Sequence, residues 1–165
     1  MKKAFLCLVP MLLLAFDVHA QQRRMHADML TTEEVPAISG SASGHVEFLI
    51  AGDDSRIDFV FTYGGLTAPP LFAHVHIGQH NVNGGVSFFF CGGGTKPPCP
   101  AATSGSVTGT VVPGDVIGPL AQGVTAGDLA AVIAMMRAGL TYSNMHTPAH
   151  PGGEIRGQNA PGLGN

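Results

Sequence analysis

The residues best suited to chemistry are two histidines that alternate along a short apolar segment. His74 and His76 flank Val75 within residues 73–78. Successive side chains of a β-strand point to opposite faces, so the two imidazoles would share a face, roughly 6.5–7 Å apart along the strand. Imidazoles at that spacing can converge on one metal ion, to which each bonds at about 2.0–2.1 Å. The pattern predicts part of a metal site.

A second polar row lies later in the chain, where Tyr142, Asn144 and His146 alternate. These side chains would also share one face of a strand. If that strand lies close to the segment carrying His74 and His76, the three imidazoles face one pocket. Three imidazoles suit copper or zinc, and the affinity order of the divalent ions favours copper. The sequence therefore predicts a mononuclear site at these three histidines, with copper as the candidate cofactor.

A third polar row contains Glu154 and Arg156. In the metal interpretation, Glu154 orients a histidine as a hydrogen-bond acceptor, and Arg156 attracts an anion or holds Glu154. In a structural interpretation, Arg156 pairs with Glu154, while Tyr142 and Asn144 bond to the backbone. Because short motifs produce false matches, the residues alone leave both interpretations open.

Other motifs give weaker signals. His80 lies in a loop and is a candidate auxiliary ligand, although solvent exposure is the simpler expectation for it and for His45. Residues 40–44 read Gly-Ser-Ala-Ser-Gly, with alanine where a hydrolase nucleophile elbow has serine. Residues 92–96 lack the glycine frame of a phosphate-binding loop. These motifs do not indicate hydrolase or nucleotide chemistry.

The elements that must position these side chains are short strands. The 23 glycines and 12 prolines divide the chain into short alternating segments. Residues 45–63 predict a hairpin with a turn at 52–55. Further strands are expected at 72–77, 86–91, 107–112, 140–146 and 153–158, with an edge strand near 25–32. Roughly seven or eight strands in one domain predict an all-β, antiparallel Greek-key sandwich or barrel.

One stretch has the spacing of a helix instead. Its apolar residues recur at positions i, i+3, i+4 and i+7, and they are Leu129, Val132, Ile133 and Met136. Thr125 is expected to cap its start, with Asp128 completing the cap, and Gly139 to end it. The fold class is therefore all-β with one short helix.

Residues 1–20 predict a cleaved signal peptide. Lys2 and Lys3 precede an apolar stretch over residues 4–16, and a cleavage site follows at Ala20. The apolar stretch is too short to span a bilayer as a helix. We expect a single domain over residues 21–165 that is periplasmic or secreted, with no membrane span after cleavage.

Cys91 and Cys99 form an even pair beyond the predicted leader, which contains Cys7. The Gly/Pro-rich loop between them can turn the chain back, so we expect a disulfide in an oxidising compartment. The formal net charge is −3 at pH 7 and no basic face is visible. Nucleic acid is therefore not an expected partner, and the partner would be an unidentified extracellular or periplasmic ligand.

Three segments taken together resemble the signature of the CHRD domain family. They are residues 73–78 (Ala-His-Val-His-Ile-Gly), 142–147 (Tyr-Ser-Asn-Met-His-Thr) and 151–158 (Pro-Gly-Gly-Glu-Ile-Arg-Gly-Gln). The triplet Glu34-Val35-Pro36 also matches the family's habitual Glu-Val-Pro. The resemblance covers nearly all of the chain beyond the leader. It implies a secreted binding or interaction module, without implying a particular reaction.

The spacing of His74, His76 and His146 is also similar to the copper-binding pattern of the copper/zinc superoxide dismutases. Those enzymes use a Greek-key barrel and an arginine that guides the anion, a role that would fall to Arg156 here. No zinc loop with its own histidines is recognisable in the sequence. A copper-dependent oxidoreductase is therefore an alternative function, and a purely structural domain without metal is another.

Overall fold

The computed structural model describes residues 23–162, and within them nine strands form one sheet accompanied by a single α-helix. The strands are β1 (Arg24–Leu30), β2 (Ser43–Ile50), β3 (Ile57–Gly64), β4 (Phe72–Ile77), β5 (Val86–Cys91), β6 (Gly105–Val111), β7 (Thr141–His146), β8 (Ile155–Gln158) and β9 (Ala160–Pro161). The helix, α1 (Leu129–Arg137), lies between β6 and β7 in the chain. The predicted leader, residues 1–20, lies outside the described residues, and the predicted domain bounds stay a prediction.

The sheet is antiparallel and nearly closed. Its strand order is β5-β4-β7-β8-β1-β2-β3-β6, with β9 pairing to β1. The strands at the two ends of this order, β5 and β6, contact each other. Neighbours that are distant in sequence, such as β4 with β7 and β3 with β6, require the crossovers of a Greek key. The predicted all-β class with one short helix is confirmed.

The first strand is not at an edge. The prediction of an edge strand is wrong, because β1 pairs with β2 along its full length and with β8 and β9 on its other side. The physical reason is tertiary, because β8 and β9 return to pair with the second side of β1. Met25, Ala27 and Met29 are buried in the core, as they would be in an edge strand with the same alternation.

The helix buries the predicted stripe, since Leu129, Val132, Ile133 and Met136 are all buried. Its cap differs from the prediction. Asp128, not Thr125, is the N-cap residue, and its carboxylate accepts a hydrogen bond from the Ala131 amide at 2.9 Å. Gly139 follows the helix with a φ of +69°, which glycine adopts without a steric penalty. No helix within residues 23–162 has the length and apolar character needed to cross a bilayer.

Opposite faces of β4 and β5 have different surroundings. Phe90 of β5 points into the core, where its ring lies 4.9 Å from that of Phe59 and 5.2 Å from that of Phe61. Val75 of β4 is also part of this core. The alternating residues His74 and Phe89 therefore point to the outer side of the barrel wall. The polar rows predicted from sequence lie on that outer side, beneath loops.

Candidate metal centre

Pairing of β4 with β7 brings the first two polar rows side by side. In this register, His74 lies opposite Asn144, His76 opposite Tyr142, and Phe72 opposite His146. One ring nitrogen from each of the three histidines lies within 4.8 Å of the others. Two neighbouring strands thus place three imidazoles together, as the alternation and spacing predicted. Closing all three onto one ion with bonds of about 2.0–2.1 Å requires only small side-chain movements.

The three histidines each present a buried nitrogen without a hydrogen-bond partner among the described residues. These atoms are His74 Nδ1, His76 Nε2 and His146 Nε2. The other nitrogens of two rings are engaged: His76 Nδ1 donates to the Gly84 carbonyl at 2.8 Å and His146 Nδ1 to the Pro151 carbonyl at 3.0 Å. A carbonyl oxygen only accepts, so Nδ1 carries the hydrogen and Nε2 keeps its lone pair. Metal-binding histidines are oriented in this way.

Burial keeps the imidazoles neutral. The three histidines His74, His76 and His146 are only 4%, 9% and 6% exposed. Burial, reinforced by the two neighbouring histidines, lowers the pKa of His74 to about 2. Burial also lowers the pKa of His76 to about 4, against the opposing effect of its bond to Gly84. The pKa of His146 is lowered by burial too. At neutral pH all three rings keep a lone pair for a cation.

Aromatic rings form one side of the centre. Phe72 lies 4.7 Å from the His146 ring and 5.4 Å from the His74 ring, and Phe89 lies 5.1 Å from His74. Phe89 is covered by Gly93, where an added Cβ would lie 2.4 Å from the phenylalanine ring. Gly93 belongs to the loop closed by the disulfide that joins Cys91 to Cys99. The disulfide loop therefore holds an apolar wall against the histidines.

Tyr142 and Arg156 support His76 from the other side. The Tyr142 ring stacks on His76 with centroids 4.5 Å apart and planes 8° apart. The Arg156 guanidinium carbon lies 3.5 Å from the centre of the tyrosine ring. The tyrosine hydroxyl accepts a hydrogen bond from the Gly84 amide at 3.2 Å. Gly84 thus bonds to Tyr142 through its amide and to His76 through its carbonyl.

The expected roles of Arg156 are corrected. Its guanidinium donates to Asn83 Oδ1 and to the Val82 carbonyl, both at 2.8 Å. These acceptors take the place of the expected pairing with Glu154. Arg156 is only 3% exposed, so it does not face solvent to guide an anion. The reason is the loop of residues 78–85, which folds over β8 and supplies closer acceptors. Arg156 therefore binds this loop through two hydrogen bonds and stacks on the face of the Tyr142 ring.

The expected role of Glu154 is corrected as well. Its carboxylate accepts from the Thr67 amide at 2.7 Å, the Thr67 hydroxyl at 2.9 Å and the Thr147 hydroxyl at 2.6 Å. None of these donors is a histidine. Strand β8 begins at Ile155, so the alternation that joined Glu154 to the polar row does not extend to it. Glu154 instead ties two loops together.

Glu34 is the residue of this region that the sequence did not identify as functional. It is 7% exposed, and its carboxylate accepts from the Asn144 amide group at 2.6 Å. Burial raises the pKa of Glu34 to about 7, against the lowering effects of Asn144 and Arg156. The only signal was its place in the Glu-Val-Pro triplet. Asn144 also donates to the Ile155 carbonyl at 2.9 Å, as the structural interpretation expected of it.

The remaining histidines lie apart from the centre. His80 is a surface residue whose Nε2 lies 3.1 Å from a Glu33 oxygen. His45 Nδ1 lies 2.7 Å from Asp28 on the outer face of β1 and β2. Neither belongs to the group of side chains that can hold one ion in the described part of the chain. His80 is exposed to solvent, as expected, and its position outside the group does not favour a role as an auxiliary ligand.

Comparison with known proteins gives a family and little more. The family model described as "CHRD domain" matches residues 25–159. The match extends from the second residue of β1 to the end of β8 and includes all three histidines of the centre. No significant match was found among curated proteins or among solved structures.

Proposed function

The chain belongs to the CHRD domain family, and from this premise we propose that it is an exported binding module that holds a copper ion through His74, His76 and His146. The disulfide between Cys91 and Cys99 suits an oxidising compartment outside the cytoplasm. Copper is the proposed ion because imidazole donors suit it.

One observation carries the proposal: one ring nitrogen from each of the three histidines lies within 4.8 Å of the others, and each ring has a buried nitrogen without a hydrogen-bond partner among the described residues. A buried polar atom without a partner costs about 1–3 kcal/mol. Two of the rings, His76 and His146, donate Nδ1–H to backbone carbonyls, so their unpaired Nε2 keeps a lone pair for a cation. A cation bound by all three atoms would remove this penalty. A purely structural cluster provides no such partner.

Binding is favoured over dismutase-type turnover by the position of Arg156. A guiding arginine must face solvent near the metal, whereas Arg156 is buried and occupied by Asn83 and Val82. The imidazoles themselves are covered by aromatic rings and loops. The oxidoreductase alternative therefore lacks the anion path that it requires in this region.

The test is copper retention by the purified exported protein. After removal of metal with a chelator, one equivalent of copper is added, the protein is desalted, and bound copper is measured by mass spectrometry. We expect one copper per chain, and at least tenfold weaker binding in His146→Gln. His80→Gln is the matched control, because this exposed histidine lies outside the group and should leave binding unchanged.

Two results would change the conclusion. If the wild-type protein does not retain copper, the proposed function is wrong. If the copper-loaded protein consumes superoxide and His146→Gln abolishes that activity, the oxidoreductase alternative replaces the binding module.

A further inference from the structure

We infer that the three-histidine centre selects monovalent copper, Cu(I), over divalent copper and zinc. The inference rests on the proposed function, since it concerns the charge state of the ion that the same three residues hold. It follows from the charge, the enclosure and the number of donors around the centre.

The donor set carries no negative charge. His74, His76 and His146 are the only described side chains in the group, and no carboxylate or thiolate joins them. Neutral imidazoles leave the charge of a bound cation uncompensated. The penalty of moving an ion into a medium of low polarity grows with the square of its charge, so it is about four times larger for a divalent ion. Burial of the centre therefore disfavours divalent ions.

A fixed positive charge that stacks toward the centre increases this preference. Arg156 is permanently cationic and stacks on Tyr142, which in turn stacks on His76. A positive charge two rings from the metal repels a divalent ion more strongly than a monovalent one.

The number of donors agrees with the charge argument. Zinc in proteins takes four ligands, with a water completing the set where the protein supplies three, and divalent copper prefers tetragonal geometry. The chain supplies three, and the rings of Phe72, Phe89 and Tyr142 lie against the same histidines. Monovalent copper has a filled d shell and is stable with three donors. The centre thus matches Cu(I) in coordination number as well.

The test is the reduction potential of copper bound to the wild-type protein, measured beside competition titrations for Cu(I), Cu(II) and zinc. A potential above that of the aqueous copper couple means that Cu(I) binds more tightly than Cu(II). We expect at least a tenfold preference, which corresponds to 59 mV for one electron. A potential at or below the aqueous couple, with copper bound, overturns the inference and leaves the proposed function intact. If no metal binds, the proposed function itself has failed.

A matched pair of variants tests the electrostatic cause. Phe89→Glu places a carboxylate beside His74, and Phe89→Gln is a neutral control of nearly the same shape. We expect Phe89→Glu to lower the preference for Cu(I) at least tenfold relative to Phe89→Gln. Equal preferences in two folded variants would overturn the inference. If Phe89→Glu does not fold, the wild-type potential still decides.

Discussion

Acidification of the metal-free protein tests whether the histidines are buried and neutral. Unfolded histidine has a pKa near 6.5, whereas the pKa values of folded His74 and His76 are about 2 and about 4. Between pH 7 and pH 5 the unfolded chain therefore binds protons that the folded chain does not. Stability must fall as the pH falls through this window. Each of these two histidines contributes a loss of about 2 kcal/mol, and His146 adds to it in the same direction.

Glu34 acts against the histidines in the same window. Its folded pKa of about 7 is above the ordinary value of 4.5, so the folded state takes up a proton first as the pH falls. This contributes about 2 kcal/mol of stability between pH 7 and pH 5. The wild-type free energy of unfolding should therefore fall by about 2 kcal/mol plus the contribution of His146. In Glu34→Gln, which keeps an oxygen for Asn144, it should fall by about 4 kcal/mol plus the same contribution of His146.

Urea unfolding of the metal-free protein at pH 7, 6 and 5 measures both values. The control is His74→Gln in the Glu34→Gln background, which should reduce the fall by about 2 kcal/mol. The reasoning is refuted if Glu34→Gln shows the same pH dependence as wild type. It is also refuted if replacing His74 leaves that dependence unchanged.

Two further predictions concern the support of His76. Gly84→Ala should lower stability by more than about 2 kcal/mol and weaken copper binding, since its Cβ would lie 1.7 Å from the Ile77 carbonyl oxygen. Urea unfolding measures the first effect and copper competition the second. Unchanged copper affinity in the folded variant would contradict the proposed role of the loop. Tyr142→Phe should cost about 1 kcal/mol through loss of the Gly84 amide's acceptor. It should keep copper affinity within about threefold because the ring stack remains; a large loss of affinity would show that the hydroxyl matters to the metal.

Much of the fold and the ligand set could be predicted because both depend on alternation. The period of two places His74 and His76 on one face whatever the neighbouring strand is. It also placed Tyr142, Asn144 and His146 together. The two polar rows come together only because β4 pairs with β7. The sequence did not establish that pairing, so the prediction of the site was conditional on it.

The wrong expectations for β1 and Arg156 depended on tertiary position. Edge and central strands share the same alternation, so β1 could not be located from its residues alone. The partners of Arg156 come from residues 78–85, whose path depends on side chains far along the chain, including Gln122 and Gln158. Glu154 lies one residue before β8, where the pattern of the strand no longer applies.

The rings of His76 and His146 are oriented by main-chain carbonyls of Gly84 and Pro151 rather than by carboxylates. A peptide carbonyl has no proton to gain or lose, so the alignment of these rings does not vary with acidity. No side-chain replacement deletes such an acceptor. An insertion or deletion in the loops of residues 78–85 and 147–153 would move the carbonyl acceptor away from the histidine ring. Loop length, together with the absence of a side chain at Gly84, is therefore the property that evolution must preserve there for the imidazoles to stay aligned.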